Sequence, residues 1–398
     1  MDDRPDSDGA RIRRLRKRAG LTQEELGRLV GRSQAWVSGM EGGTIPLDSV
    51  ALIVQVARAL KVHPSDIAGA AIGLSTDAES RAASAVREIR RAMQRFDLAP
   101  DWPVDPRPRA DLAATVRHLI VLRRTARYAD LAEAVPDAIR EIHAAACAAA
   151  GTEREALFAL LAAAHKEADT AAHVLGHDDL ATLAIERFRW AAGRAADPAL
   201  SAVGDYLRVR DLWALRLWAD AADVIDARVA ALDGLGGAAQ TVVGSLHLRG
   251  AVTAARALDP DGARARIAEA RTALALLPDG GDPYELTFTA ANIDIHAVSI
   301  EVEAGNGARA MALAAATELP PGTPRSRAAR YRMDVARGCV LHGDHRRGLA
   351  SMLAAERLAP LLVRNNRDAR AAVAAMLSHG RGAGDERLRG LAARLRVS

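Results

Sequence analysis

Short turns recur about every 40 residues from residue 176 onward in this 398-residue chain, and an alanine-rich stretch follows each of them. The turns lie at residues 176–179, 218–220, 259–262, 305–307 and 342–344. The stretches between them carry apolar residues at helical spacing, and small alanine side chains let neighbouring helices approach closely. One helix pair cannot bury its apolar face alone, so successive pairs must stack. The pattern therefore predicts an α-solenoid.

The composition of the whole chain favours an all-α fold. Hydrophobic residues make up 49% of the chain and aromatic residues only 3%, whereas strands are enriched in aromatic and β-branched residues. No run of about 18 apolar residues lacks a charge, so we expect no membrane-spanning helix. The N-terminus is acidic and has no apolar core, unlike a signal peptide. We therefore expect a cytoplasmic protein.

The positions of helices, glycines and prolines divide the chain into four segments. We expect residues 1–10 to be a disordered tail and residues 11–72 to be a compact unit of short helices separated by glycines. Residues 73–108 contain an amphipathic helix and then a segment with four prolines, which favours a stiff, extended linker. Residues 109–398 are expected to form the solenoid.

The most informative motif lies at residues 12–46, which read IRRLRKRAGLTQEELGRLVGRSQAWVSGMEGGTIP. Thr22 and Glu25 have the spacing of a capping box, which starts a helix at Thr22. Ser33 is a good N-cap for another helix after the glycine turn. The stretch 11–36 holds eight basic and two acidic residues, and this local excess of about six positive charges is typical of a nucleic-acid-binding surface.

This motif resembles the DNA-binding domain of the Cro-like (XRE) helix-turn-helix family, the phage-repressor type. The resemblance implies a double-stranded DNA operator as partner, with the helix that begins near Ser33 in the major groove. It implies Gln34 as the main base reader, since a glutamine amide pairs bidentately with adenine. It also implies that Arg16 and Glu41 form a buried ion pair. The implied DNA contacts are Thr22, Gln23, Arg32, Ser33, Gln34, Ala35, Trp36, Ser38 and Gly39.

The sequence departs from this family pattern at two glycines. Gly39 stands where a long polar side chain often reads a base, and Gly42 replaces a residue that approaches a phosphate. Fewer base contacts in each half-site predict weak binding by a monomer. We therefore expect a homodimer on two half-sites, with the solenoid supplying the dimer contact. The proline-rich spacer, residues 99–109, would then hold two recognition helices about one DNA turn apart, roughly 34 Å.

A Cro-like domain followed by a tetratricopeptide-like array resembles two groups of bacterial regulators. One comprises the peptide-sensing regulators of low-GC bacteria, and the other is a set of actinobacterial helix-turn-helix regulators. The alanine- and arginine-rich composition favours the actinobacterial type. The repeat period exceeds the roughly 34 residues of an ideal tetratricopeptide repeat, so the repeats are degenerate. In such proteins the array dimerises, binds a peptide or small-molecule effector, or does both.

Candidate effector-binding residues are polar or aromatic side chains on helices of the array. Tyr206, Arg210 and Trp213 share one helical face. The other candidates fall on successive helices, and one of them, an asparagine, is expected in mid-helix, where asparagine is unfavourable. These candidates are His247, Asn292, His296 and Arg332. At each position the alternative is a surface residue or a satisfied core residue.

Neither catalysis nor a cofactor is expected. The sequence has no Gly-rich phosphate loop and no HExxH, GxSxG or paired-cysteine motif. A turn separates His173 from His177, so we expect no metal site there. A second class of function remains open, a helical-repeat scaffold or interaction protein with a vestigial helix-turn-helix. The intact capping box and the local positive charge favour a DNA-binding regulator.

Overall fold

A computed structural model describes residues 8–45, 50–60, 62, 67, 77–277, 281–379 and 385–397. Within these ranges the regular secondary structure is helical, with no strand, which confirms the all-α prediction. In the same residues no helix is long and apolar enough to cross a membrane. The chain divides into two compact units, residues 1–84 and residues 85–398. The boundary expected at residue 72 lies outside the described residues.

The first unit packs short helices around one apolar core. They are α1 (Asp8–Arg18), α2 (Gln23–Leu29), α3 (Gln34–Glu41) and α4 (Val50–Leu60). The core contains Ile12, Leu26, Val30, Val37 and Met40, all at most 1% exposed. Each helix contributes residues at helical spacing to this core, so the four helices hold one another in place.

The first helix differs from the sequence expectation of a disordered tail through residue 10. Helix α1 already begins at Asp8. A Cβ atom on Gly9 would lie 2.5 Å from the carbonyl oxygen of Met40. The start of α1 is therefore in close contact with the end of α3, and this packing orders residues that composition alone assigns to a tail.

Glycines make the turns between α1 and α3. Gly20 and Gly31 have φ angles of +72° and +62°, a conformation that L-residues with a side chain rarely adopt. A Cβ atom on Gly27 would lie 2.7 Å from the carbonyl oxygen of Arg32. Helix α2 and the turn that leads into α3 thus approach each other at a distance that only glycine allows.

The second unit is a series of antiparallel helix pairs. Its helices are α5 (Asp77–Gln94, which enters the unit at Ala85), α6 (Arg109–Arg124), α7 (Tyr128–Ala148), α8 (Gly151–Val174), α9 (Asp178–Ala192), α10 (Pro198–Ala214), α11 (Trp218–Ala231), α12 (Ala239–Arg256), α13 (Pro260–Ala275), α14 (Ala290–Glu303), α15 (Gly307–Ala316), α16 (Arg325–Leu341), α17 (His345–Leu358), α18 (Pro360–Arg364), α19 (Arg367–Ser378) and α20 (Glu386–Leu395). The series confirms a helical repeat region after the helix-turn-helix unit.

One kind of turn joins the two helices of a pair, from α6–α7 to α16–α17. Its middle residue has a left-handed backbone, and the next residue donates its N–H to the carbonyl five residues earlier, a Schellman-type bond. The left-handed residues are Ala126, Gly176, Arg216, Leu258, Gly305 and Gly343. The turn expected at 218–220 lies slightly earlier, because Trp218 already opens α11. This shared turn is the structural basis of the repeat in the sequence.

The first helices of the pairs form the inner layer of the second unit. Neighbouring members α10, α12, α14 and α16 contact one another in chain order, and α16 returns to contact α6. The side-chain amide of Asn365 also donates to the carbonyl of Val174 at 2.9 Å, far back along the chain. The array therefore curls until its late helices meet its early ones, and polar residues of the inner helices come together inside the curve.

The proline-rich segment differs from the stiff spacer expected at residues 99–109. Arg107 makes a two-armed ion pair with the buried Glu141 of α7, with Nη2 2.6 Å from Oε2. Arg140 donates from Nε to Asp101 at 3.0 Å. Residues 85–108 belong to the second unit, because these ion pairs fasten the segment to α7.

Candidate functional site

Helices α2 and α3 both begin with the caps that the sequence predicts. The Thr22 hydroxyl accepts the N–H of Glu25 at 3.1 Å, and the Glu25 carboxylate accepts the N–H of Thr22 at 2.7 Å. The Ser33 hydroxyl accepts the N–H of Trp36 at 3.2 Å. These caps satisfy N–H groups that a helix start leaves free, and they fix where α3 begins.

A chain of side-chain hydrogen bonds runs from Gln34 into the core of the first unit. Gln34 donates from Nε2 to Oε1 of Gln23 at 2.8 Å. Gln23 in turn donates from Nε2 to Oε2 of Glu41 at 2.9 Å. The exposed amide of Gln34 is therefore oriented by groups that are themselves fixed.

The chain of bonds ends at the ion pair that the resemblance implied. Arg16 donates from Nε to Oε1 of Glu41 at 2.6 Å and from Nη2 to Oε2 at 3.0 Å, and both residues are buried. Arg16 also donates to the carbonyl of Leu21 at 2.7 Å. Burial raises the pKa of Glu41, but the hydrogen bonds from Arg16 and Gln23 outweigh it, so the pKa lies below its ordinary value.

The surface of α3 presents most of the side chains that the sequence assigned to DNA. Gln34, Ala35 and Ser38 are exposed, and Trp36 is half-buried. The guanidinium of Arg32 lies 5.8 Å from the centre of the Trp36 ring. The exposed part of α3 is thus a polar face bordered by a positive charge, which is suited to a nucleic-acid groove.

Gly39 has a structural role that the sequence did not reveal. A Cβ atom there would lie 2.9 Å from Cδ1 of Ile45 and 3.1 Å from the hydroxyl of Thr44. The carbonyl of Gly39 also accepts the Thr44 hydroxyl at 3.0 Å. The chain after α3 folds back over Gly39, so this position offers no side chain to DNA because the loop occupies the space.

Three of the seven effector candidates, Tyr206, Arg210 and Trp213, lie on α10. The ring centres of Tyr206 and Trp213 lie 4.3 Å and 4.9 Å from the guanidinium carbon of Arg249. Arg210 pairs with Asp169 of α8, with Nη2 2.6 Å from Oδ1. These three candidates thus lie on one polar surface of the inner helices.

His296 joins the same surface through α16. Nδ1 of His296 lies 2.8 Å from the carbonyl oxygen of Asn292 and 3.0 Å from Nη2 of Arg327. Burial and then the charge of Arg327 keep the pKa of His296 well below 6.5, so the ring is neutral near pH 7.

The remaining three candidates have different surroundings. His247 is buried on α12, where burial and then the charge of Arg266 on α13 lower its pKa, so it belongs to the helix pair and not to the inner surface. Asn292 lies in the first turn of α14, and its N–H donates to the N-cap Thr289, which corrects the expected mid-helix position. Arg332 is exposed on α16, away from the neighbours of Arg327.

Sequence reasoning missed Arg249, Arg327 and Arg330. All three are half-buried, and Arg249 contacts the aromatic rings of α10. Burial, together with Arg330 and Arg249, lowers the pKa of Arg327 to about 10. Burial, together with Arg249 and Arg210, also lowers the pKa of Arg330. A signal existed in the arginine-rich sequence of α16, but arginines occur all around that helix, so its inner face could not be identified.

Comparison with known proteins adds the following. Residues 9–69 match the family described as a helix-turn-helix domain. No curated protein matches the chain. The crystal structure of Bacillus thuringiensis PlcR in complex with the peptide PapR7 and DNA is similar at 12% identity and a TM-score of 0.29, covering 68% of this chain and 95% of that chain. A TM-score this low does not establish a shared fold, so the N-terminal match is the informative one.

Proposed function

We propose that this chain is a sequence-specific DNA-binding transcriptional regulator of the Cro-like (XRE) type, which acts by binding and not by catalysis. The observation that carries the proposal is the exposed Gln34 amide at the start of α3, held in one orientation by Gln23. A side chain that is already held in its binding orientation loses less conformational entropy when it binds a base. The match of residues 9–69 to helix-turn-helix domains supports the same function.

The Gln34 amide offers the groups that adenine needs in the major groove. One hydrogen of Nε2 goes to Gln23, and the second remains for N7 of adenine. Oε1 can accept from the amino group of the same base, which completes a bidentate pair. Ala35 and Ser38 lie on the same exposed face, and Thr22 and Arg32 border it as proposed contacts to the DNA backbone.

We propose further that the second unit dimerises and senses an effector. Gly39 and Gly42 supply no side chains to DNA, so a single half-site binds weakly, and joining two half-sites raises affinity through effective concentration. The proline-rich segment is fastened to α7, so the spacing of two recognition helices is not set by a free spacer at residues 99–109. The inner polar surface around Arg210 and Arg249 is the proposed effector site.

The direct test is the affinity of the full-length protein for DNA from upstream of its own gene, and for random duplex DNA at the same salt concentration. We expect Gln34→Ala to weaken binding to the operator by about 1–3 kcal/mol and to leave binding to random DNA nearly unchanged. Gln94→Ala, at an exposed glutamine outside the first unit, serves as the matched control and should change neither affinity.

Two results would contradict the proposal. Equal losses on operator and random DNA would mean that Gln34 does not read bases. Absence of binding to any duplex by the wild-type protein would favour the alternative, a helical-repeat scaffold with a vestigial helix-turn-helix.

A further inference from the structure

Three arginines of the inner surface, Arg249, Arg327 and Arg330, lie close together on α12 and α16, and we call them the arginine cluster. Arg249 stacks on Tyr206, and Arg327 lies against His296. The charge of Arg249 lowers the pKa of both Arg327 and Arg330, in each case after the larger effect of burial. Among the described residues, no carboxylate lies within ion-pair distance of any of the three guanidinium groups. The cluster therefore makes no direct ion pair, and the opposite charge nearest to it is the half-buried Asp334, which acts on Arg327 and Arg330 from beyond that distance.

Three other arginines of the inner helices are paired with carboxylates, and the cluster differs from them. Arg210 is held by Asp169. Arg256 and Arg337 share Glu303, at 3.2 Å and 2.9 Å. The acid nearest in sequence to the cluster on its own helix, Asp334, lies 3.4 Å from Arg337 and is thus already engaged. The acids of this surface are bonded to other arginines, so the three guanidinium groups of the cluster are compensated only in part, by Asp334 at a distance.

The cluster is also held in place by contacts that do not neutralise it. Tyr206 and Trp213 both lie under the guanidinium of Arg249, at 4.3 Å and 4.9 Å. Nε of Arg249 and Nε of Arg327 are buried and have no hydrogen-bond partner in the described residues. Cation–π contacts fix the position of a guanidinium while its outer N–H groups remain available.

Incompletely compensated charges of one sign, partly withdrawn from water, destabilise a fold unless a ligand supplies the opposite charge. Guanidinium groups present N–H donors in a planar fork that matches the oxygens of phosphate and carboxylate. Arg249 already covers the rings of Tyr206 and Trp213, so these rings are not free to stack on a ligand. The cluster would therefore recognise a ligand by its negative charge and by the arrangement of its oxygen atoms.

We propose that the arginine cluster binds the anionic group of a small-molecule effector, one that carries a phosphate ester or clustered carboxylates. This inference rests on the proposed sensing role of the second unit and names the chemical class of the effector. Asp334 offsets the three positive charges only in part, so a ligand group with about two negative charges would complete the balance. The ligand's oxygens take the place that carboxylates hold beside Arg210 and Arg337.

The test is calorimetric titration of the full-length protein, without DNA, with pyrophosphate and with citrate at constant ionic strength set by chloride. We expect at least one of the two probes to bind, and the one that binds more tightly distinguishes a phosphate from a carboxylate ligand. Arg330→Gln should weaken that binding by about tenfold or more, since it removes a charge-assisted hydrogen-bonding group. Arg332→Gln is the matched control on the same helix, is exposed in the wild type, and should leave binding unchanged.

Thermal unfolding supplies a second readout. Arg330→Gln should raise the midpoint of the ligand-free protein, because it relieves repulsion, and should reduce the rise that the probe causes. A lower midpoint with unchanged probe binding would make Arg330 a structural residue and overturn the proposal. So would a failure of both probes to bind the wild type.

A third measurement, binding of random duplex DNA, tests whether the cluster binds nucleic acid instead of a small anion. It also distinguishes failure of this proposal from failure of the proposed function. If Arg330→Gln weakened binding to random duplex DNA as strongly as binding to the probe, the cluster would be a nucleic-acid surface and the proposal would fail. Anion binding is measured without an operator, so loss of operator recognition alone would contradict only the proposed function.

Discussion

Arg16 in the first unit and Arg330 in the second are both partly or largely enclosed by protein, but only Arg16 has a carboxylate partner among the described residues. Arg16 is bound at both arms by Glu41 and at a third nitrogen by the carbonyl of Leu21. Arg330 lies near two other arginines, whose charges lower its pKa after the larger effect of burial. A paired buried charge fixes a scaffold, whereas an unpaired one provides a place for a ligand.

The size of the two units explains why they differ. A small domain buries a modest core and has little stability to spare, so an unpaired buried charge would unfold it. The second unit spans residues 85–398 and has a much larger core. A unit of that size can remain folded with a locally unfavourable arrangement such as the arginine cluster.

The largest expected effect comes from breaking the pair in the first unit. Glu41→Ala should lower the stability of that unit by about 3–5 kcal/mol, because it leaves Arg16 buried without a counter-charge. It also removes the acceptor of Gln23, so the Gln34 amide loses its support and operator affinity should fall. Hydrogen exchange of residues 8–45 in the full-length protein measures the stability of this unit separately.

The control for this experiment is Glu24→Ala. Glu24 is 77% exposed and lies 3.9 Å from Arg28, and such a surface pair contributes less than about 1 kcal/mol. If Glu41→Ala abolished DNA binding but left exchange in α1–α3 unchanged, the pair would act at the DNA surface and the comparison with Arg330 would lose its basis.

Acidification should weaken the same pair in a defined pH range. The pKa of Glu41 is lowered in the folded state: burial raises it, but hydrogen bonds from Arg16 and Gln23 prevail. The stabilisation is therefore fully present above the unfolded-state pKa of about 4.3 and is lost as pH falls through the lower folded-state pKa. We expect the stability difference between wild type and Glu41→Gln to be constant near neutrality and to shrink below about pH 4. A difference that shrank between pH 8 and pH 6 would point to another titrating group.

Local signals made the first unit predictable. The capping box at Thr22 and Glu25 and the N-cap at Ser33 depend on residues three apart in the sequence, and the structure contains both. The Arg16–Glu41 pair was implied by the resemblance to the Cro-like family, and the structure contains it. The repeat turns could also be located, because a helix pair needs a turn whatever its distant neighbours are.

The inner surface of the second unit could be predicted only in part. Tyr206, Arg210 and Trp213 share a helical face, and periodicity alone reveals such a face. The approach of Arg330 to Arg249 and Arg210 depends on the curvature of the whole array, which no local pattern encodes. The structure places Arg332 on an exposed face of α16, because this helix carries arginines on several faces and only its packing selects the inner one.

The two units also differ in which residues adopt a left-handed backbone in their turns. The turns of the first unit use Gly20 and Gly31, whereas one turn of the second unit uses a leucine, and this difference gives the smallest predicted effect. Leu258 occupies the left-handed position of a repeat turn, with φ of +64°, and is 84% exposed. Left-handed backbone costs a residue with a side chain about 1–2 kcal/mol, and glycine loses roughly 0.5–1 kcal/mol of that gain to its flexible unfolded state. Leu258→Gly should therefore stabilise the second unit by up to about 1 kcal/mol in thermal unfolding of the full-length protein. Gly305→Ala, at the same position of a later turn with φ of +77°, is the reciprocal control and should destabilise it by a similar amount. A loss of stability in Leu258→Gly would show that the exposed leucine makes a stabilising contact that outweighs the cost of its left-handed backbone.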